Sequence, residues 1–227
     1  MKGYGQYCPI AQAAEIVTER WTPLVLRELL VRGTRFNDIR RGVPLMSPSL
    51  LAKRLRSLEE AGVLERRVRS NGGTEYQLTE AGRELGPLIL QLGDWGKRWL
   101  RRRVRRDQLD AGVLLWDIRG RVDPGCFPAG RTVVQIEFTD LPAAQRRWWL
   151  VNEGNDADLC LTNPGYEVDL YLASTLRTLT EIWMGDVSLQ RARDDGMLEI
   201  HGRSDLRRRL RSWLQLSPFA GIRRKGP

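Results

Sequence analysis

A chain of 227 residues, 41% hydrophobic and 29% charged, is long enough for two ordinary domains, and its composition excludes wholesale disorder or a fibrous repeat. No apolar run approaches the roughly 20 residues that span a bilayer and no leader pattern opens the chain, so membrane insertion is not expected and a cytoplasmic, nucleoid-associated protein is. The net charge of +9 is uneven: residues 1–110 hold 21 Lys and Arg against 13 Asp and Glu, and residues 111–227 hold 16 against 15. Such an asymmetry points the first half at a polyanion such as nucleic acid, although a basic face also serves solubility alone.

Pro9 to Thr18 reads as a short helix with Ile10, Ala13, Ala14 and Val17 on one face. Thr22 caps a second helix with Pro23 at its first position, running over Leu24 to Val31 and ending near Gly33. Phe36 to Arg41 forms a third, stopped by Gly42 and Pro44. Ser47 caps and Pro48 starts a fourth, which ends at Gly62. Val63 to Arg69 and Glu75 to Leu78 flank Asn71-Gly72-Gly73 as a hairpin. Thr79 caps a fifth helix, which Gly86-Pro87 is expected to interrupt before Leu88, Leu92, Trp95 and Trp99 continue an apolar stripe. A basic run from Arg101 to Arg106 then leads to a domain boundary between residues 104 and 112.

Beyond it, Val134, Ile136 and Phe138, and then Val168, Leu170 and Leu172, alternate with polar residues as half-buried strands. Residues 147–151 and 159–162 are weaker strands. Ser174 caps a helix carrying Leu176, Leu179, Ile182 and Trp183; a short helix at 187–193, a strand at 197–201 and a last helix at 205–216 complete an α+β domain. Cys8, Cys126 and Cys160 lie far apart and His201 is the sole histidine, so no metal site, cofactor site or catalytic constellation is read, and an enzyme is not expected.

On the fourth helix Leu51, Leu55 and Leu58 share one side, with Ser49, Lys53 and Arg56 opposite, flanked by Leu50 and Ser57. Small hydroxyls in the first turn let a helix approach a duplex, and Lys or Arg one and two turns on reaches base edges or phosphates. An amphipathic surface helix with a solvated basic face fits that pattern equally. A short helix, a turn, a capped basic helix and a hairpin is, however, the order of a winged helix-turn-helix. Arg66, Arg67 and Arg69 lead to a tip where Asn71 and its glycines accept positive φ. The DNA-facing candidates are therefore Ser49, Leu50, Lys53 and Arg56 with Arg67, Arg69 and Asn71, while Ser47 and Arg54 serve as cap and backbone-positioning residue.

The segments Cys8-Pro9-Ile10, Arg20-Trp21-Thr22, Leu26-Arg27-Glu28-Leu29, Arg35-Phe36-Asn37-Asp38-Ile39, Ser47-Pro48-Ser49-Leu50-Leu51, Leu58-Glu59-Glu60-Ala61-Gly62 and Tyr76-Gln77-Leu78-Thr79-Glu80-Ala81-Gly82 resemble the HxlR-type regulators. The resemblance implies a homodimer on a pseudo-palindromic double-stranded operator, most naturally a repressor. It places the dimer seam on the first and last helices of the domain: Ile10, Ala14, Leu88, Leu92, Trp95 and Trp99. Those residues fit an intramolecular core as well. Cys8 matches the cysteine at which some members sense oxidants or electrophiles; a small buried residue is its plainer reading.

Tyr166 to Leu170, Leu179 to Asp186 and Gly196 to Gly202 resemble the sterol-carrier-protein-like fold, which implies a five-stranded sheet around an apolar cavity. The implied lining is Ile136, Phe138, Leu159, Leu161, Leu170, Leu179, Ile182, Trp183 and Met197, residues that equally make a closed core. The expected architecture is thus two domains. Residues 1–106 form a mainly-α winged helix-turn-helix with a β-hairpin wing, and residues 111–220 an α+β sterol-carrier-protein-like domain taking a lipophilic effector. Two alternatives stand beside it: a redox switch at Cys8 with a purely structural second domain, and a lipid carrier or small enzyme whose basic half anchors it to acidic surfaces.

Overall fold

The computed structural model describes residues 3–31, 34–70, 72–100, 104–154 and 156–225. Gly33, Asn71 and residues 101–103 lie outside the described residues. The chain divides into two units, Met1–Gly96 and Lys97–Pro227.

In the first unit α1 (Pro9–Val17), α2 (Thr22–Val31), α3 (Phe36–Gly42) and α4 (Pro48–Glu60) precede a hairpin of β1 (Leu64–Val68) and β2 (Thr74–Leu78), and α5 (Glu80–Trp99) comes after it. The hairpin is antiparallel, pairing Leu64 with Leu78 and Val68 with Thr74. A bridge between Arg35 and Glu75 and a bond from the Tyr76 N–H to the Thr34 carbonyl tie the start of α3 to β2. The core gathers Val25 and Leu26 of α2, Ile39 of α3, Leu51, Leu55 and Leu58 of α4, and Ile89 of α5.

Gly86 and Pro87 do not interrupt α5, contrary to the sequence expectation; the helix runs through both. Pro87 faces outward, so its ring meets no packed neighbour element, and one backbone hydrogen bond is lost rather than the helix. Gly86 is buried because α2 packs there: a Cβ at Gly86 would lie 3.0 Å from Leu30 Cδ2.

The second unit adds α6 (Ala111–Arg119), β3 (Arg131–Phe138), α7 (Ala143–Arg146), β4 (Arg147–Glu153), β5 (Asp156–Cys160), β6 (Leu170–Ser174), α8 (Leu176–Trp183), α9 (Leu189–Asp194), β7 (Leu198–Gly202), α10 (Ser204–Arg208) and α11 (Leu210–Trp213). Its five strands are ordered β5-β4-β3-β6-β7. β3 and β6 run parallel, and every other pair is antiparallel. One sheet face, carrying Val134, Ile136, Phe138, Leu150, Leu170 and Leu172, packs with α6, α8 and α11 into a single core.

Three local expectations change here. α6 has no counterpart in the sequence reading; Asp110 caps it, accepting the Val113 N–H at 2.9 Å. Thr175, not Ser174, caps α8, because Ser174 completes β6 and the Thr175 hydroxyl accepts the Thr178 N–H at 3.1 Å. The single helix expected over residues 205–216 is two short ones, α10 and α11, meeting at Arg209.

Candidate nucleic-acid interface

The site is built on α4. Ser47 is its N-cap, its hydroxyl accepting the Leu50 N–H at 3.3 Å, and Pro48 supplies a first residue with no N–H to satisfy. Ser47 and Ser49 hydroxyls lie 3.2 Å apart at the exposed first turn. Gly62, at φ 71°, turns the chain out of the helix and into β1. Thr79 ties the start of α5 to this turn: its hydroxyl donates to the Gly62 carbonyl at 2.6 Å and accepts the Gly82 N–H at 3.2 Å.

Leu51, Leu55 and Leu58 are fully buried, which leaves Ser49, Lys53 and Arg56 exposed on the opposite face and Leu50 half-buried at its edge. These side chains share one surface with the free N-terminal backbone of α4. Partial positive charge from the helix terminus, two hydroxyls and two cationic groups thus face solvent together, the arrangement that accepts phosphate and base-edge acceptors.

Arg54 departs from its expected role. Its side chain is only 6% exposed and donates from Nη2 to Glu19 Oε1 at 2.6 Å, so it braces α4 against the α1–α2 turn instead of reaching a phosphate. That turn is itself held in a costly shape: Trp21 has φ 77°, a region that side chains with a Cβ avoid. Its carbonyl accepts the N–H groups of Leu24 and Val25, its ring packs on the core, and the Arg20 guanidinium lies 5.5 Å from the ring centre. Sequence reasoning missed the Glu19–Arg54 pair because its partners are 35 residues apart, and it met Trp21 only within the Arg20-Trp21-Thr22 motif because a positive φ at a residue other than glycine leaves no mark in the pattern.

On the wing, Arg66 and Arg67 are exposed and Arg69 is half-buried. Arg67 pairs with Glu65 on its own strand and Arg69 with Glu75 across the hairpin at 3.2 Å. A phosphate must therefore compete with a carboxylate at both; Arg66, one residue before Arg67 on β1, is exposed on the other face of the strand. Asn71, the expected tip residue, lies outside the described residues.

The expected seam residues are also on the surface: Ile10 is exposed on α1, Ala14 is half-buried, and Leu88, Leu92, Trp95 and Trp99 form an exposed apolar row on α5. Leu85 and Ile89, one step around the helix, point into the core instead. Cys8 is the half-buried N-cap residue of α1 and its side chain caps nothing.

In the second unit the proposed cavity lining separates. Ile136, Phe138, Leu170, Leu179, Ile182 and Trp183 belong to the core cluster and Leu159 packs against it. Leu161 is 60% exposed and Met197 37%, so these two do not line an interior: Leu161 lies just past the end of β5, and Met197 just before β7. Burial and a hydrogen bond act on the other two thiols. Donation from Cys126 Sγ to Asp123, aided by burial, pushes the Cys126 thiol up, and burial foremost does so at Cys160.

The chain matches the HxlR-like helix-turn-helix family over residues 16–104. It is 36% identical over 106 residues to the HTH-type transcriptional regulator YdeP of Bacillus subtilis, spanning 46% of this chain and 80% of that protein. Identity reaches 41% over 95 residues with an HTH-type transcriptional regulator of Mycobacterium tuberculosis, 41% of this chain and 60% of that one. Among solved structures, reduced YodB of Bacillus subtilis is 29% identical, with 40% of this chain and 93% of that chain covered and a TM-score of 0.36. With a capped, outward-facing basic helix, a wing, the family match and the likeness to YdeP, the chain belongs to the HxlR-like helix-turn-helix family of DNA-binding transcriptional regulators.

Proposed function

We propose that the protein is a homodimeric regulator of specific operators, with α4 of each chain in the major groove and the β1–β2 wing against the neighbouring backbone. The division of α4 carries this reading: three leucines fasten one side to the core while Ser49, Lys53 and Arg56 stay exposed on the other. Lys53 and Arg56 act as base or phosphate readers, Ser47 and Ser49 let the helix end approach closely, and Arg54 fixes the helix in place.

The row on α5 supports the dimer. Leu88, Leu92, Trp95 and Trp99 are 56%, 54%, 54% and 49% exposed, and apolar surface of that size aligned on one helix marks an interface more often than it stays in water. A dimer seated across an operator excludes other proteins from it, so repression is the expected sign. The likeness of the second unit to sterol carrier proteins suggests a lipophilic effector. Seven of the nine residues offered for its cavity lie in or against a packed core, so such a ligand would have to enter by opening that core.

Fluorescence anisotropy with duplexes selected from random sequence by the wild-type protein tests the α4 assignment. Lys53→Ala and Arg56→Ala are each expected to weaken binding about tenfold, the scale of one lost charged contact to a base edge. Both variants binding as tightly as wild type, while folded, would refute it.

A further inference from the structure

The second unit carries a concentration of positive charge that DNA reading by α4 leaves unused. Arg193 of α9, Arg207 and Arg208 of α10, and Arg211 of α11 line one recess of about 210 Å³ together with Gln190. Leu189 and Leu210, 8% and 4% exposed, complete the lining and anchor the helices beneath. All four arginines are exposed, and the nearby acids have hydrogen-bond partners other than these four, Asp194 through Gln190 of the recess itself. Asp194 accepts from Gln190 at 2.7 Å, Asp195 from Arg191 at 3.3 Å, and Asp205 from Arg203 at 2.8 Å.

Four like charges drawn to one concavity repel one another, and an anion seated among them reverses the sign of that interaction. Each guanidinium presents a planar fork that meets a tetrahedral oxyanion through two parallel hydrogen bonds. Recesses for drug-sized ligands run to about 300–1,000 Å³, so this one fits a compact group and not an extended apolar molecule. A duplex, whose phosphates lie along a convex ridge, does not enter it.

We propose that this recess binds a compact polyphosphate group, such as a diphosphate or a small bisphosphorylated molecule, giving the second unit an anionic ligand. Two linked phosphates bring up to four negative charges and six terminal oxygens to the four cationic forks, against two charges and four oxygens for a dicarboxylate. The inference stands apart from operator binding and concerns no residue of α4 or the wing.

Isothermal titration of the full-length protein with inorganic pyrophosphate, at ionic strength held constant with sodium chloride, tests it. Saturable binding of one pyrophosphate per chain is expected, with a rise in melting temperature that tracks occupancy. Arg207→Gln/Arg211→Gln should lose at least tenfold in affinity. Arg131→Gln/Arg147→Gln, which removes two arginines paired with Glu153 and Glu137 on the sheet, should leave it unchanged. Arg207→Lys/Arg211→Lys keeps the charge, loses the forks and is expected to fall between; it also serves if the glutamine variant fails to fold. Absence of saturable binding by wild type overturns the proposal, as does equal loss in the recess and sheet variants. So does binding only to anionic phosphatidylglycerol vesicles or to duplex DNA, with pyrophosphate ignored.

Discussion

Replacing Arg54 by alanine separates a bracing role from a DNA-contacting one. The side chain keeps 6% of its exposure and its partner Glu19 keeps 26%. Removing one member of a fully buried pair costs about 3–5 kcal/mol, because a charge is left in low dielectric without compensation. A carboxylate with a quarter of its surface in water is partly compensated, so about 2–3 kcal/mol is expected here, including the lost packing of the arginine stem. For a unit of this size that lowers the melting temperature by roughly 10–20 °C. Amide exchange of peptides from α1 and α4, read by mass spectrometry beside a thermal melt, localises the loss to the first unit. Affinity per folded molecule for the selected duplex should be unchanged, and Glu19→Gln/Arg54→Met should recover part of the stability. An Arg54→Ala protein as stable as wild type but about tenfold weaker on DNA would show that the guanidinium faces the duplex and that the inference from burial is wrong.

Gly82→Ala places a Cβ 2.0 Å from the Val63 carbonyl oxygen, a backbone atom that cannot step aside, and should destabilise by about 1–3 kcal/mol. Gly86→Ala meets only the end of the Leu30 side chain at 3.0 Å and gains helix propensity, so near-neutrality is expected; denaturant midpoints of the two variants in the reverse order would contradict this. At Asp186, burial raises the carboxyl but hydrogen bonds and charges from Lys97 and Arg224 outweigh it and hold the group below its ordinary value. A depressed folded value means stability that is present above the unfolded value and lost as pH falls through the folded one. The gap in melting temperature between wild type and Asp186→Asn should therefore be constant above about pH 5 and close below about pH 4; a gap that persists undiminished at about pH 3 refutes the pairing.

Caps and breakers made the first unit legible. Ser47-Pro48, Gly62 and Thr79 each announce a boundary through a local hydrogen-bond requirement, and the structure satisfies each within a few residues. Gly86-Pro87 misled because the same two residues that punctuate a loop can sit in a helix when one packs against α2 and the other faces water. Arg54 was misplaced for a geometric reason. It lies three residues after Leu51 and four before Leu58, on the core side of the wheel, and the carboxylate that permits its burial is 35 residues away.

In the second unit the alternation of β3 and β6 was readable, but their parallel pairing depends on a crossover that periodicity does not encode. α6 escaped notice although Ala111, Leu114, Leu115 and Ile118 share one face at helical spacing: Trp116 is buried on the other side and no residue of the helix is fully exposed, so a short stretch offers little contrast between an apolar and a polar face. The arginine recess was invisible for the same kind of reason: Arg193 and Arg211 are brought together only by the packing of α9 against the chain's last helices.

Hydroxyl-radical footprinting of the full-length protein on a selected duplex tests the central claim most directly. A homodimer reading with two copies of α4 predicts two related half-sites about 10–10.5 base pairs apart, or a multiple of that spacing, related by a two-fold axis and abolished together by Lys53→Ala/Arg56→Ala. A single unsymmetrical footprint, or protection without sequence preference once salt has removed the nonspecific phosphate attraction, would contradict it.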